Sequence, residues 1–338
     1  MTTRVLGIVA CGALALGSTA VAQTINAAGA TFPGPIYQKW FSDYQRMHKA
    51  VKINYQAIGS GGGIKQLIEG TVDFGASDKP MSDAEIAKIT KYHVLHFPTV
   101  LGGVVPTYHV PGVSVPLNFS GETLAGIFLG NIGKWDDKAL TKDNPGVRLP
   151  SAEINVVHRA EASGTSFVFT DYLAKVSPEW KSRVGADVAP RWPKGLGGKG
   201  NEGVAGLIKQ QPNSIGYVEL LYAVQNKMTY GKVKNAAGNF VMADFDTVTQ
   251  AAAGAAKSMP DDFRVSITNA PGENTYPIST FTWLLIPEKF DDGAKKAAIV
   301  AFMKWMLTDG QKDAKGLSYA PLPDSVVKKE MVQLTKIQ

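Results

Sequence analysis

His158-Arg159-Ala160-Glu161-Ala162-Ser163-Gly164-Thr165-Ser166-Phe167 decides how this chain is read. Ile154-Asn155-Val156-Val157, just before it, is apolar and β-branched and predicts a short strand. From Phe167 to Lys175 the apolar residues fall at helical spacing and predict a helix. Ser163-Gly164-Thr165 therefore sits on a strand-to-helix turn. A helix start presents unpaired backbone N–H groups and the positive end of the macrodipole. Ser163 and Thr165 add hydroxyl donors, Gly164 lets a ligand approach the backbone, and Arg159 adds a fixed positive fork. Together they suit an anion, best a tetrahedral oxyanion. The plainer alternative for this stretch alone is a helix N-cap beside a surface arginine.

Three other loops have the same character. Ala27-Ala28-Gly29-Ala30-Thr31-Phe32-Pro33-Gly34-Pro35 precedes Ile36, Tyr37, Trp40, Phe41 and Tyr44, one face of a helix, with Thr31 as the expected N-cap and Pro33 in the first turn. Val51 to Gln56 reads as a strand, followed by the loop Ile58-Gly59-Ser60-Gly61-Gly62-Gly63 and a short helix carrying Ile64, Leu67 and Ile68. No Gly-Lys-Ser/Thr closes that loop, so it is not a Walker P-loop. Val72 to Ala76 reads as a buried strand with Ser77 and Asp78 at its end, where α/β sheets place ligand contacts. Ser82-Asp83-Ala84-Glu85 opens the next helix as a capping box. A capped helix, a plain turn and a turn-bracing Asp78 would explain these three loops taken singly.

The rest of the chain frames them. Val94 to Val105 predicts consecutive strands bent at Gly102-Gly103, a crossing suited to joining two lobes. Ser120 to Phe128 predicts a helix stopped by Gly130, with a loop and a short helix after it. Gly195-Leu196-Gly197-Gly198-Lys199-Gly200 matches G-x-G-x-x-G, but no convincing strand precedes it and no acidic residue follows at Rossmann distance. It reads as a loop capping a helix over Val204 to Lys209. Ser214 to Glu219 and Pro277 to Pro287 read as strands, Lys295 to Leu307 as an amphipathic helix, and Asp324 opens a last helix. Residues 230–275 are expected to hold loops, one or two helices and little of a site.

At roughly 150 residues per domain, 338 residues suggest two domains. Hydrophobic content of 44% and charged content of 19% are those of a globular chain with a sizeable core. The net charge of +6 is scattered, which suits small anions and gives no basic run for nucleic acid. Arg4, the apolar run Val5 to Leu16 and Ala20-Val21-Ala22 have the form of a secretory signal cleaved after Ala22. Ile8-Val9-Ala10-Cys11 has the form of a lipoprotein box, but its apolar run is short. Cys11 is the only cysteine, so cleavage after Ala22 leaves none and excludes disulfides. His93, His96, His109 and His158 show no metal-ligand spacing and read as structural or surface residues.

Several such loops converging would make a donor-rich cage, and Asp78 then becomes the selective member. A carboxylate beside an oxyanion repels it unless the anion brings a proton. Phosphate keeps at least one near neutral pH and sulfate keeps none. With an ordinary aspartate pKa of about 3.9, Asp78 is expected to be an ionised acceptor. A secreted phosphatase or serine hydrolase would need a base beside a nucleophile or a two-metal cluster. Neither Ser60 nor Ser163 has a recognisable His–Asp partner.

Ala28-Gly29-Ala30-Thr31-Phe32-Pro33, Ile58-Gly59-Ser60, Asp73-Phe74-Gly75-Ala76-Ser77-Asp78 and Arg159-x-x-x-Ser163-Gly164-Thr165-Ser166-Phe167 closely resemble the periplasmic phosphate-binding proteins of bacterial high-affinity phosphate ABC importers. The resemblance extends to Leu129 through Asp137, Gly195 to Gly200, Ile215 to Glu219 and Leu322-Pro323-Asp324-Ser325. It implies an α/β, two-lobed periplasmic binding protein fold of type II. Each lobe would be a mixed sheet flanked by helices, and two hinge strands would join them. The implied division is a signal peptide over 1–22, lobe I over 23–103 and 277–338, and lobe II over 104–276. It implies inorganic phosphate as ligand, with Thr31, Phe32, Ser60, Asp78, Arg159, Ser163, Gly164 and Thr165 in contact with it. It also implies no cofactor, no metal and no catalysis, a monomer in the periplasm, and an inner-membrane permease and ATPase as partners. Some members carry Asp-Gly where this chain has Glu161-Ala162, and that Asp pairs with the binding arginine. Glu161 is expected to take the role with a longer arm.

Overall fold

The computed structural model describes residues 23–257 and 259–338. The expected signal segment, its cleavage after Ala22 and the alternative lipid-bearing Cys11 lie outside the described residues.

A nine-stranded sheet runs through the molecule. Its strands are β1 (Gln23–Gly29), β2 (Val51–Ala57), β3 (Phe74–Ser77), β4 (Val94–His109), β5 (Asn155–Arg159), β6 (Leu196–Gly198), β7 (Ser214–Glu219), β8 (Thr229–Tyr230) and β9 (Ser279–Pro287). The order is β2-β1-β3-β9-β4-β7-β5-β6, with β8 also on β4. β1 lies parallel to β2 and β3, while β9 runs antiparallel to β3 and β4. On the other side β7 is antiparallel to β4, and β5 is parallel to both β7 and β6.

β4 holds the two lobes together. Val94 to Gly103 pairs with β9, and Val104 to His109 pairs with β7. The expected pair of strands bent at Gly102-Gly103 is thus one continuous strand that exchanges partners there. Ladder hydrogen bonds continue across the exchange, so the backbone has no reason to break. The chain returns between the lobes near Ile278, whose carbonyl accepts the Val104 N–H at 2.8 Å, while the Tyr276 hydroxyl donates to the Val104 carbonyl at 2.8 Å.

Helices pack against the sheet and share the apolar core with its strands. In the helix Gly34–Met47, Ile36, Tyr37, Trp40, Phe41 and Tyr44 are all buried, as their spacing predicts. Thr31 does not cap this helix: Pro33 occupies the N-cap position with no side-chain cap bond, and Thr31 is committed elsewhere. The helix Ser60–Glu69 starts earlier than expected, so Gly61, Gly62 and Gly63 form its first turn. A Cβ on Gly63 would lie 2.5 Å from the Gly29 Cα, so the small residues serve close packing of helix on strand. The capping box at Ser82 and Glu85 is present, and Gly130 ends the helix Gly121–Leu129 in the left-handed conformation.

Gly195 to Gly200 is not the expected loop. Leu196–Gly198 pairs with the outer edge of β5, and Gly200 begins the helix Gly200–Gln210. Residues 230–275 contain the helix Phe245–Lys257 and two short strands, which join Asn118–Phe119 in a separate three-stranded sheet. Among the described residues no helix is long and apolar enough to cross a membrane.

Candidate functional site

Six strand ends and helix starts meet where the two lobes face each other. One lobe brings the loop after β1 with Thr31 and Phe32, the start of the helix Ser60–Glu69, and Asp78 at the end of β3. The other brings Arg159 at the end of β5, the start of the helix Gly164–Val176, and the start of the helix Gly200–Gln210. Thr31, Phe32, Ser60, Asp78, Arg159, Ser163 and Thr165 are all buried.

Arg159 is the hub. Its Nε donates to Glu161 Oε1 at 2.9 Å, and Nη2 is also bonded to that oxygen. Nη1 donates to the Thr165 hydroxyl at 3.1 Å and Nη2 to the Thr31 hydroxyl at 3.0 Å, the latter across the cleft. Glu161 is fixed in turn by the Gly200 N–H, 3.1 and 3.3 Å from its two carboxylate oxygens. The longer glutamate arm therefore reaches the arginine, and the strand β6 with its following turn supplies its support. A carboxylate on one edge of the guanidinium holds the fork in a single orientation.

The helix Gly164–Val176 begins as its sequence predicts. Ser163 is its N-cap and accepts the Ser166 N–H at 3.1 Å. Phe167 N–H returns to the Ser163 carbonyl, which leaves the Gly164 and Thr165 N–H groups without intrahelical partners. The capping and anion-binding readings are thus compatible: the Ser163 oxygen caps while its O–H remains a donor. The Thr31 and Phe32 carbonyls accept the hydroxyls of Tyr222 and Tyr319, each at 2.6 Å, which fixes the peptide planes of that loop.

Asp78 is a buried carboxylate aimed into this set of donors, with no salt-bridge partner among the described residues, and it is 1% exposed. Its Oδ1 accepts the Thr282 hydroxyl at 2.8 Å. Ser60 Oγ accepts the Asp78 N–H at 3.0 Å and lies 3.5 Å from Oδ2. Burial raises its pKa to about 7, opposed by the Thr282 hydrogen bond, the Arg159 charge and Ser60. The expectation of a fully ionised aspartate with an ordinary pKa is corrected accordingly. Desolvation outweighs the single arginine, which is already neutralised by Glu161.

The lobes touch at this point. Gly61 N–H donates to the Ala162 carbonyl at 3.0 Å. A Cβ on Gly164 would fall 2.3 Å from Ser60 Oγ and 2.7 Å from Asp78 Oδ2. A neighbouring cavity of about 480 Å³, lined by residues such as Phe167, Pro260, Arg264 and Trp283, meets the cluster through Asp78 and shares none of its donors. Among the described residues no three His, Cys, Asp or Glu side chains are grouped to hold a metal. His96 is buried, accepts the Met81 N–H at 3.0 Å, and has its pKa pushed down to about 4 by burial and nearby Arg264.

Two members of the cluster escape a reading of the sequence. Thr282 lies inside the apolar run of β9, where a register shift next to it accompanies its turn toward Asp78. Asn201 follows Gly200, is wholly buried, and donates to the Thr31 hydroxyl at 2.9 Å. A polar residue within a strand buried on both faces is the signal for the first, because it must find a partner.

Two α/β lobes joined by a shared strand and meeting over a buried, donor-lined cleft define a solute-binding protein. A family model described as a PBP superfamily domain matches residues 15–310. Phosphate-binding protein PstS of Xylella fastidiosa (strain Temecula1) is 47% identical over 90% of this chain and 83% of its own length. Phosphate-binding protein PstS of Pasteurella multocida (strain Pm70) is 44% identical over 93% of this chain and 91% of its own. The chain belongs to this PstS family of phosphate-binding proteins within the PBP superfamily. Its fold matches that of a high-affinity periplasmic phosphate-binding protein solved with bound phosphate, with a TM-score of 0.72, 21% identity, and coverage of 92% of this chain and 93% of that one.

Proposed function

We propose that the chain is a phosphate receptor. It captures inorganic phosphate between its lobes in the periplasm and delivers it, as a monomer and without catalysis, to an inner-membrane ABC permease and its ATPase. Lobe I comprises 23–103 and 277–338, and lobe II comprises 104–276, in line with the partner exchange along β4. Arg4, the apolar run after it and Ala20-Val21-Ala22 support export. Arg159, the hydroxyls of Thr31, Ser60, Ser163 and Thr165, and the N–H groups of Phe32, Gly164 and Thr165 donate to the anion. Glu161 holds the arginine.

The observation that carries this reading is Asp78, a buried acceptor set among donors. A tetrahedral anion that brings one proton satisfies it. With the Asp78 pKa at about 7, one proton lies between carboxylate and phosphate whichever of them supplied it. Sulfate brings none, so it fits only when Asp78 is itself protonated. Ionisation of Asp78 above pH 7 therefore excludes sulfate, and protonation below pH 7 admits it. Hydrolysis lacks its machinery, since neither the Ser60 nor the Ser163 hydroxyl bonds to a histidine among the described residues.

Calorimetric titration with each anion at about pH 6 and about pH 8.5 tests the reading. Phosphate should bind with micromolar or tighter Kd at both. Sulfate should bind far more weakly, losing about tenfold per pH unit above pH 7. Sulfate competing equally at the higher pH, or turnover of a phosphate ester by the purified protein, would refute it.

A further inference from the structure

We propose that Asn201 is a positioning and selectivity residue, which polarises the two threonine hydroxyls of the cage so that both donate to the bound anion. The inference rests on the phosphate-receptor reading and concerns a residue outside the anion's own contacts. It also gives work to the glycine-rich stretch ending at Gly200, which the dinucleotide reading leaves unexplained.

The orientation of the Asn201 amide is dictated by its surroundings. Its Oδ1 accepts the backbone N–H of Glu219 at 2.9 Å, and a backbone N–H can face only an oxygen. Nδ2 must then face the other way, where it lies 2.9 Å from Thr31 Oγ1 and 3.4 Å from Thr165 Oγ1. The two amide hydrogens thus serve one threonine from each lobe. Arg159 approaches the same two oxygens from its own side, Nη2 at 3.0 Å from Thr31 and Nη1 at 3.1 Å from Thr165.

Each hydroxyl oxygen has two lone pairs and one hydrogen. Arg159 and Asn201 are both obligate donors here, so they occupy both lone pairs of Thr31 Oγ1 and of Thr165 Oγ1. The hydrogens are left over, and neither hydroxyl donates to a protein atom among the described residues. An acceptor of the size of an oxyanion is what remains for them. Without Asn201, each hydroxyl keeps a free lone pair and can rotate, so it meets a bound proton donor or the anion equally well. Polarisation by Asn201 thereby removes acceptors from the cage and leaves Asp78 as its acceptor. The site gains from this both donor strength and insistence on a single ligand proton.

Wild-type protein is first titrated with inorganic phosphate. Absence of binding there defeats the receptor reading itself. Asn201→Ala, Thr31→Val and the double variant are then titrated alongside, with thermal melts of each ligand-free protein. Asn201→Ala should weaken phosphate binding about 10- to 100-fold, the scale of one misdirected hydrogen bond to a charged group. The double variant should lose clearly less than the sum of the two single losses, because part of the Asn201 effect acts through the Thr31 hydroxyl and the rest through Thr165. Fully additive losses, or wild-type affinity in Asn201→Ala, would overturn the proposal. If Asn201→Ala fails to fold, Asn201→Asp retains the acceptor for the Glu219 N–H, and the same cycle is run with it. A carboxylate there draws the Thr31 hydrogen away from the cage, so its loss should likewise shrink in the Thr31→Val background. An undiminished loss in that background would overturn the proposal.

Discussion

Gly164→Ala places one methyl group between the lobes. The backbone at Gly164 is helical and not left-handed, so alanine fits the conformation and favours the helix. The new Cβ falls 2.3 Å from Ser60 Oγ and 2.7 Å from both Asp78 Cβ and Oδ2. Ordinary contact at about 3.4 Å or more requires the lobes to stand roughly an ångström further apart. The cross-cleft bonds at 3.0 Å from Arg159 to Thr31, 2.9 Å from Asn201 to Thr31 and 3.0 Å from Gly61 to Ala162 would then exceed hydrogen-bond range. Losing all three, one of them from a charged donor, costs about 2.5–6 kcal/mol, or about 70- to 25,000-fold in phosphate affinity. Calorimetry should find that loss, and small-angle scattering should find the compaction on adding phosphate reduced. The melting temperature without ligand should be unchanged or slightly higher. Wild-type affinity with full compaction would refute the idea that these lobes seal on each other at Gly164.

Two further substitutions separate selectivity from stability. Asp78→Asn replaces the acceptor by a group that also donates, so phosphate should weaken, sulfate should gain, and competition between the two anions measures the collapse of the ratio. Glu330 is wholly buried in the helix Asp324–Gln333, with neither carboxylate oxygen partnered among the described residues, and burial raises its pKa well above the usual range. A raised pKa means that its contribution is intact below about pH 4.5 and is lost as pH rises. Glu330→Gln should therefore raise the melting temperature at neutral pH by a few degrees, at about 2–4 °C per kcal/mol, with the difference closing toward pH 4.

Local chemistry is what the chain displays most openly. A strand, a Ser-Gly-Thr turn and a helix follow one another at 155–176, and the capping box at Ser82 is complete within four residues. The donors of the cage are legible for the same reason, since each sits at the end of its own element. What joins them is not local. Thr282 lies 204 positions from Asp78, and Asn201 lies 170 from Thr31. Thr282 is marked as a polar residue in a buried run, but so are Ser279 and Thr280, and only laying β9 beside β3 singles it out. Thr31 misleads in the opposite direction. Its place before Pro33 and a periodic helix has the form of a cap, yet its hydroxyl is already held by Arg159 and Asn201 from the other lobe. The stretch Gly195 to Gly200 has too few side chains to show strand periodicity, and only the free edge of β5 makes Leu196–Gly198 a strand.

On the proposed function, the pKa of Asp78 would tie selectivity to closure. Raising it from 3.8 to about 7 means that an ionised Asp78 disfavours this enclosed arrangement by up to about 4 kcal/mol at pH above 7, at about 1.4 kcal/mol per unit. The cause is desolvation, and the share of it supplied by the second lobe lapses when the cleft opens to water. An empty, closed cleft is therefore disfavoured by up to about a thousandfold at alkaline pH. A protonated oxyanion reverses this by giving the carboxylate its hydrogen bond, so the closed state is reached with the ligand inside. Sulfate leaves the penalty standing and adds repulsion. On the proposed function, the same buried charge would reject the wrong anion and keep the empty receptor open. Asp78→Asn should lose both properties together, closing without ligand as measured by its radius of gyration at pH above 7. A variant that lost selectivity yet stayed as open as the wild type would break that link.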